Sequence, residues 1–273
     1  MEVAYNPNGI PILGYHGLYD GRKQEKGDPW WTKTDDFLRH LQYLRTKEYF
    51  PIFFSELIGH FLVTSRNKWK AAKPILITFD DGHSCLYDKL IRNGSFDLQS
   101  MWFRATVFVI VGNVSEDANH RIYSENELGY LTKPEIQKMA ETSSFEFASH
   151  SMSHPSLLSL LNTQQIQEIR REVAGSRIEL INLLNGLGIG SSFSNTFAYP
   201  FGENHFSPQL IDYVKEGSYD CAVDFNQQPR VNNGKTDRYR LRRISMTYRQ
   251  PGWVADYNVK KKLMDALKQS PAA

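Results

Sequence analysis

Cysteine is scarce in this chain: 273 residues carry only Cys85 and Cys221, far apart in sequence. That excludes a disulfide framework and leaves one long-range bridge or two buried thiols, with buried thiols the expectation. Long apolar runs are missing as well, and no stretch reaches the length that spans a bilayer. Charge of one sign is missing too: 32 Lys and Arg against 30 Asp and Glu leave +2, too little to argue for nucleic acid or an anionic membrane. Internal repeats and low-complexity linkers are absent. The opening "MEVAYNPNG" has neither the basic nor the apolar region of a signal peptide, which fits a cytosolic chain or one whose leader has been removed. No histidine follows His205.

What remains is ordinary globular material, 41% hydrophobic and 23% charged, enough for one α/β domain or two small ones. Aromatic residues, at 13%, are plentiful. They suit a ligand with flat apolar faces, such as a sugar, and equally a well-filled core.

Short apolar segments alternate with amphipathic ones. "IPILGY" (10–15), "PILITF" (74–79), "RATVFVIV" (104–111), "FEFAS" (145–149), "NTFAY" (195–199), "YDCAVDF" (219–225) and "RLRRISM" (240–246) read as strands. Residues 35–47 place Phe37, Leu41 and Leu44 on one helical face, with Thr32 and Asp35 as a capping box; Thr132 and Glu135 form a second, with Pro134 in the first turn. Asn162 or Thr163 is expected to cap a long helix to about residue 184, and further helices are expected near 207–217 and 254–268. This alternation predicts a mainly parallel sheet covered by helices, open or closed into a barrel. In such folds reacting groups sit at the carboxyl ends of the strands.

Just past those ends lie His16, the pair Asp80 and Asp81, the pair His150 and His154, and "YPFG" from Tyr199 to Gly202. An Asp-Asp-Gly alone is usually a turn, and a His-x-x-x-His alone is usually a surface or packing pair. Together, at the ends of strands in an α/β pattern, they point to a metal site. Two adjacent carboxylates repel unless a cation or proton intervenes. Two imidazoles and one carboxylate suit Zn²⁺, or another first-row divalent ion, with a position open to water. One aspartate would bind the ion and the other take a proton, and Gly82 would turn the chain so that both face one cavity. Pro155 places the histidine pair in a loop.

"TFDDG" (78–82), "HSMSH" (150–154) and "AYPFG" (198–202), in this order, resemble the signature of the polysaccharide deacetylase (NodB-homology) family, over roughly residues 10–250. The resemblance implies a single domain over 1–273 with its core at about 10–250. The implied fold is a distorted, incomplete β/α barrel of mainly parallel strands with outer helices. The implied activity is metal-dependent hydrolysis of N-acetyl groups on sugars, by an extracellular, periplasmic or cell-envelope protein. Carried over by position, Asp80 is the base, Asp81, His150 and His154 hold one divalent ion (Zn first, Co or Ni as alternatives), and the Tyr199 backbone N–H stabilises the oxyanion. The sequence departs from the common pattern at Phe197-Ala198, where an Arg is usual, and lacks the late histidine that supplies the acid. "GYHG" resembles the early Tyr-His of the branch acting on biofilm poly-N-acetylglucosamine, which makes His16 the acid. "LRRIS" (241–245) resembles the same branch and makes Arg242 or Arg243 an active-site cation or a structural ion pair.

Further candidates are Pro200, Phe201, Arg243 and Trp31 as substrate contacts, with "PWW" (29–31) an aromatic platform or simple packing. Glu203 and His205 are candidate cleft residues, and Asp224 is a candidate to orient His16. His83 is expected in an exposed loop, with support of the metal ligands as the alternative. His40 and His60 are expected to be structural. The N-acetylglucosamine polysaccharide leads peptidoglycan, chitin oligomers and O-acetylated xylan as substrate. A non-haem iron oxygenase and an inert sugar-binding relative are the competing classes. The first lacks its usual His-x-carboxylate pair at any strand end, and the second is disfavoured by the intact ligand set.

Overall fold

The structure, a computed structural model, describes residues 9–20, 30–62, 73–92, 102–124, 128–225, 231–232, 236–246 and 261. The expected helix at 254–268 lies outside these apart from Lys261, as do Pro29 and the side chains of His60 and Glu203.

Among the described residues ten strands follow in chain order: β1 (Ile12–Tyr15), β2 (Leu18–Tyr19), β3 (Thr32–Lys33), β4 (Tyr49–Pro51), β5 (Lys73–Phe79), β6 (Ala105–Val109), β7 (Phe145–Ser149), β8 (Phe193–Ala198), β9 (Cys221–Phe225) and β10 (Leu241–Ser245). Seven form a ring in the order β1-β10-β9-β8-β7-β6-β5, which closes because β5 also pairs with β1. Leu13 is registered with Ile244 on one side and Ile77 on the other. Every pairing in the ring is parallel. The fold is thus an α/β barrel of seven parallel strands with outer helices, one strand short of an eight-fold barrel. It is distorted where β7 and β8 slip register between Phe147↔Phe193 and Ser149↔Phe197. β4 adds to the start of β5, and β2 pairs with β3 beside the mouth.

The period-two alternation of a strand sorts the core. Ile12, Leu76, Phe108, Ala148, Ala198, Val223 and Leu241, one from each ring strand, form a single buried cluster with Phe54 and Leu57 of the helix Phe54–Leu62. These residues fill the interior. The alternate positions, such as Leu13, Ile77, Val107 and Phe147, pack outward under the helices. Near β8 and β9 the outward positions Phe197 and Ala222 pack with Ile169, Val173 and Val214.

The helix Lys133–Glu141 has the expected Thr132/Glu135 capping box. The other expected box does not form. The helix Thr34–Thr46 starts after Lys33, and the Thr32 hydroxyl donates instead to Met246 O, because β3 holds it in extended backbone. The expected long helix is also broken. Leu157–Asn162 ends near Thr163, and the chain restarts after Gln165 to run from Ile166 to Gly186 through a π turn at Arg171–Gly175. Cys85 and Cys221 are both free thiols.

Candidate active site

Because all seven ring strands are parallel, their carboxyl ends share one rim, and the chain delivers His16, Asp80, Asp81, His150 and Tyr199 there directly. Asp80 continues the inward face of β5 set by Leu76 and Thr78. Asp81 then takes a left-handed φ of +68° and Gly82 one of +72°, so the chain turns at once and both carboxylates reach the same cavity. A Cβ on Gly82 would come within 2.9 Å of a Val109 methyl, which excludes larger residues.

Asp81, His150 and His154 bring one ligand atom each into a tight triangle. The two imidazole Nε2 atoms are 3.2 Å apart, and Asp81 Oδ1 lies 3.6 Å from that of His150 and 3.7 Å from that of His154. Ligands on a tetrahedral ion with bonds of about 2.1 Å are separated by about 3.4 Å. His150 Nδ1 lies 2.9 Å from Ala198 O, which can only accept, so Nδ1 donates there and Nε2 is the atom turned to the other two donors. Burial, helped by the neighbouring His150, pushes His154 down to about 4 against the pull of Asp81 and Asp80, so its ring is neutral at pH 7. Two imidazoles and a carboxylate converging in this way fit the donor set of a divalent cation. Asp81 itself is held well below the usual carboxylate range: burial acts to raise it, but the His83 hydrogen bond and the neighbouring imidazoles prevail.

Asp80 is 1% exposed and forms a two-pronged bond with Arg243, Nη1 to Oδ1 at 2.5 Å and Nη2 to Oδ2 at 2.8 Å. Burial alone would raise its pKa, but the Arg243 charge leads the groups that lower it, and Asp80 stays ionised. Arg243 is completely buried, its guanidinium 3.8 Å from the centre of the Phe225 ring. Arg243, expected as a substrate contact, lies inside the barrel under Asp80. The signal was available, since Arg243 shares its strand face with the inward Leu241.

Tyr199, the expected oxyanion donor, sits in the strand ladder. Its N–H donates to Val223 O at 3.1 Å and its hydroxyl to Tyr239 O at 3.0 Å, so the ladder to β9 engages the proposed oxyanion donor. Pro200 has no N–H. Phe201 follows with φ +63°, 54% exposed, its ring 4.6 Å from that of His154 and 4.9 Å from that of His205.

His16 lies on the other side, stacked on Phe225 with ring centres 5.4 Å apart and flanked by Trp30 at 5.4 Å. Burial lowers its pKa while Asp81 and Asp80 oppose the shift. Its Nδ1 is buried without a hydrogen-bond partner. Asp224 binds Arg240 at 3.0 Å, so orientation of His16 by Asp224 is not what this pairing shows. Trp31 packs on Gly17, where a Cβ would meet its ring at 2.3 Å, and lies beside His83. Trp30 is the more exposed of the two rings.

His83 is not an exposed loop residue. It is 4% exposed, stacked on Tyr130, with Nε2 3.4 Å from Asp81 Oδ2. His205 joins Ser156 at 2.8 Å at the edge of the site, and His40 is buried against the Tyr15 hydroxyl at 3.1 Å. Beside the triangle lies a cavity of about 270 Å³, walled by Asp81 and His154 and lined by Ile110, Asn113, Leu128 and Tyr130 among others.

The sequence profile of polysaccharide deacetylases matches residues 67–221, more than half of the chain. The chain belongs to the polysaccharide deacetylase family. Bacillus subtilis (strain 168) YxkH, which carries a polysaccharide deacetylase name, is 22% identical over 241 residues, 88% of this chain and 72% of that protein. Two solved structures share the fold. A de-N-acetylase from Aggregatibacter actinomycetemcomitans superposes with TM-score 0.71 at 16% identity, covering 92% of this chain and 99% of that one. The Streptococcus pyogenes deacetylase PplD, solved with acetate, gives 0.70 at 19% identity, covering 94% and 98%. The family is one of hydrolases that act on acetylated polysaccharides. No helix among the described residues is long and apolar enough to cross a membrane.

Proposed function

We propose that this deacetylase removes N-acetyl groups from a polysaccharide containing N-acetylglucosamine, outside the cell membrane or in the envelope. The observation that carries this reading is the three-donor triangle of Asp81, His150 and His154 beside the Arg243-held carboxylate of Asp80. A de-N-acetylase among the structural neighbours supports an amide rather than an ester as the bond cut.

A divalent ion in this donor set, Zn²⁺ first with Co²⁺ or Ni²⁺ as alternatives, supplies Lewis-acid polarisation and lowers the pKa of water. Asp80 accepts the proton of the attacking water, with Arg243 fixing the carboxylate plane. The Phe201 N–H, in place of the engaged one on Tyr199, is the candidate donor to the developing oxyanion, and a donor so placed contributes about 3 kcal/mol. His16, when protonated, gives its proton to the departing sugar nitrogen. Acetate and a free amine result, with the water consumed. Exposed Phe201 and Trp30 offer flat apolar faces to sugar rings, and the neighbouring cavity, apolar at Ile110 and Leu128 and polar at Asn113, matches an amphipathic pyranose.

The test is acetate release from poly-N-acetylglucosamine, peptidoglycan, chitin oligomers and acetylated xylan by metal-stripped protein, with Zn²⁺, Co²⁺ or Ni²⁺ restored. Release is expected first from poly-N-acetylglucosamine. The Asp80→Asn variant should bind metal normally and turn over about 10³-fold more slowly. No acetate from any glycan by protein shown to hold its metal would sink the reading, and a fast Asp80→Asn enzyme would remove Asp80 as the base.

A further inference from the structure

His150 and His154 are anchored very differently. His150 leaves β7 directly, its N–H bonded to Val109 O at 2.8 Å and its Nδ1 to Ala198 O. His154 stands at the far end of the 150–154 loop. Its ring contacts are His150 and Phe201, and its N–H donates to Ser151 Oγ at 2.9 Å. The path of the loop therefore sets where His154 Nε2 lies.

That path is a demanding one. Ser151 and His154 both take left-handed backbone, φ +66° and +62°, where a side chain crowds its own main chain. One wall of the loop is pinned by Val111 N–H to Ser151 O at 3.1 Å and Gly112 N–H to Met152 O at 2.8 Å. The other wall is pinned by a single side chain. Glu172 Oε2 accepts the N–H groups of Met152 at 2.9 Å and Ser153 at 2.8 Å, and Oε1 accepts the Ser153 hydroxyl at 2.7 Å. The Arg171 guanidinium lies 3.4 Å from Oε1.

Glu172 is completely removed from water. A carboxylate in that position needs its lone pairs filled, and the loop fills them. The carboxylate arrives there from the π turn Arg171–Gly175, a local widening of a kind that recurs at functional sites. We infer that Glu172 is a positioning residue for the metal site: it fixes the loop whose end carries His154, and so tunes metal affinity without touching the metal. The inference rests on the metal-site reading given above.

The experiment measures the Zn²⁺ dissociation constant of the full chain by competition with a chromophoric chelator, alongside the visible spectrum of the Co²⁺-loaded protein. Glu172→Ala, folded by circular dichroism, is expected to bind Zn²⁺ about 10- to 100-fold more weakly, as removal of outer partners of ligands does elsewhere, and to change the Co²⁺ spectrum. Glu172→Gln keeps one oxygen for both N–H groups and an amide for Ser153 Oγ, so its affinity should stay within about threefold of the parent. If the Ala variant fails to fold, Glu172→Asp, one methylene too short to reach both N–H groups, takes its place with the same expected loss. Unchanged affinity and spectrum in a folded Ala or Asp variant overturn the role of Glu172 while leaving the metal site intact. A parent protein that binds no Zn²⁺ overturns the metal-site reading and this inference together.

Discussion

Asp80 and Arg243 form a buried charge pair that, on the proposed mechanism, serves chemistry rather than stability. Two ions taken out of water recover their hydration only through close geometry, and here both prongs are made and an aromatic ring covers the guanidinium. Removing the cation alone leaves an unpaired anion inside the barrel. Arg243→Met should therefore destabilise the fold by about 3–5 kcal/mol, read as a lower urea midpoint. Without Arg243 the burial of Asp80 acts unopposed by its strongest neighbour and its pKa rises. A base must be ionised, so the acid limb of the activity profile should move to higher pH; an unmoved limb would separate Arg243 from the base. Most of this site could be read in the sequence, because strand ends in a βα alternation share a rim and Asp80, Asp81, His150 and His154 all fall just past one. Arg243 was harder to place, since a motif gives residue type whereas strand parity gives direction. The engagement of the Tyr199 N–H was hidden for a different reason: a backbone N–H has no residue type, and only the ladder shows that it donates to Val223.

At the scale of elements, the strands were legible because apolar runs bounded by polar residues leave few alternatives. The helix after His154 was not, because Gln165 and the π turn interrupt a pattern whose apolar spacing continues across them. Hidden from sequence as well is how the barrel floor is closed. Glu146, inward on β7, accepts the Phe54 N–H at 2.9 Å and the hydroxyls of Thr106 and Ser55 at 2.6 and 3.3 Å, joining the ring to the helix Phe54–Leu62. Burial raises its pKa, only partly offset by these donors. A raised carboxyl pKa means the fold binds that proton more tightly than the unfolded chain, so stability falls as pH rises from the ordinary value through the raised one. Glu146→Gln keeps an oxygen for Phe54 and Thr106 and offers its amide to Ser55 Oγ. It is expected to be neutral or stabilising by about 1 kcal/mol at pH 8, and to gain less at pH 4. Urea midpoints at both pH values measure this, and a clear loss at pH 8 would show that the charge itself holds the floor.

Across the whole molecule the titrating groups of the site act in one direction. His16 and His154 are lowered by burial, so below pH 6.5 the unfolded chain takes up protons that the fold refuses. Asp80 and Asp81 are also lowered, so the unfolded chain takes up their protons first as well. In every case stability is fully present above the unfolded value and lost on acidification. The melting temperature of metal-free protein should therefore fall steadily from about pH 6.5 downward. Added Zn²⁺ should raise it by mass action down to about pH 5, with the gain vanishing near pH 4, where His154 becomes protonated. A Zn²⁺ effect independent of pH across that range would place the ion elsewhere.

The seating of β1 between β10 and β5 carries a consequence for synthesis on the ribosome. Asp81, His150 and His154 have all emerged well before residues 241–245, yet the strand that leads into His16 must wait, one edge unmated, for that segment. The cation that quiets Asp80 arrives on that same late segment. Until then Asp80 lacks its guanidinium and the cylinder keeps an open seam, so the partner of that acid and the closing strand arrive on one segment.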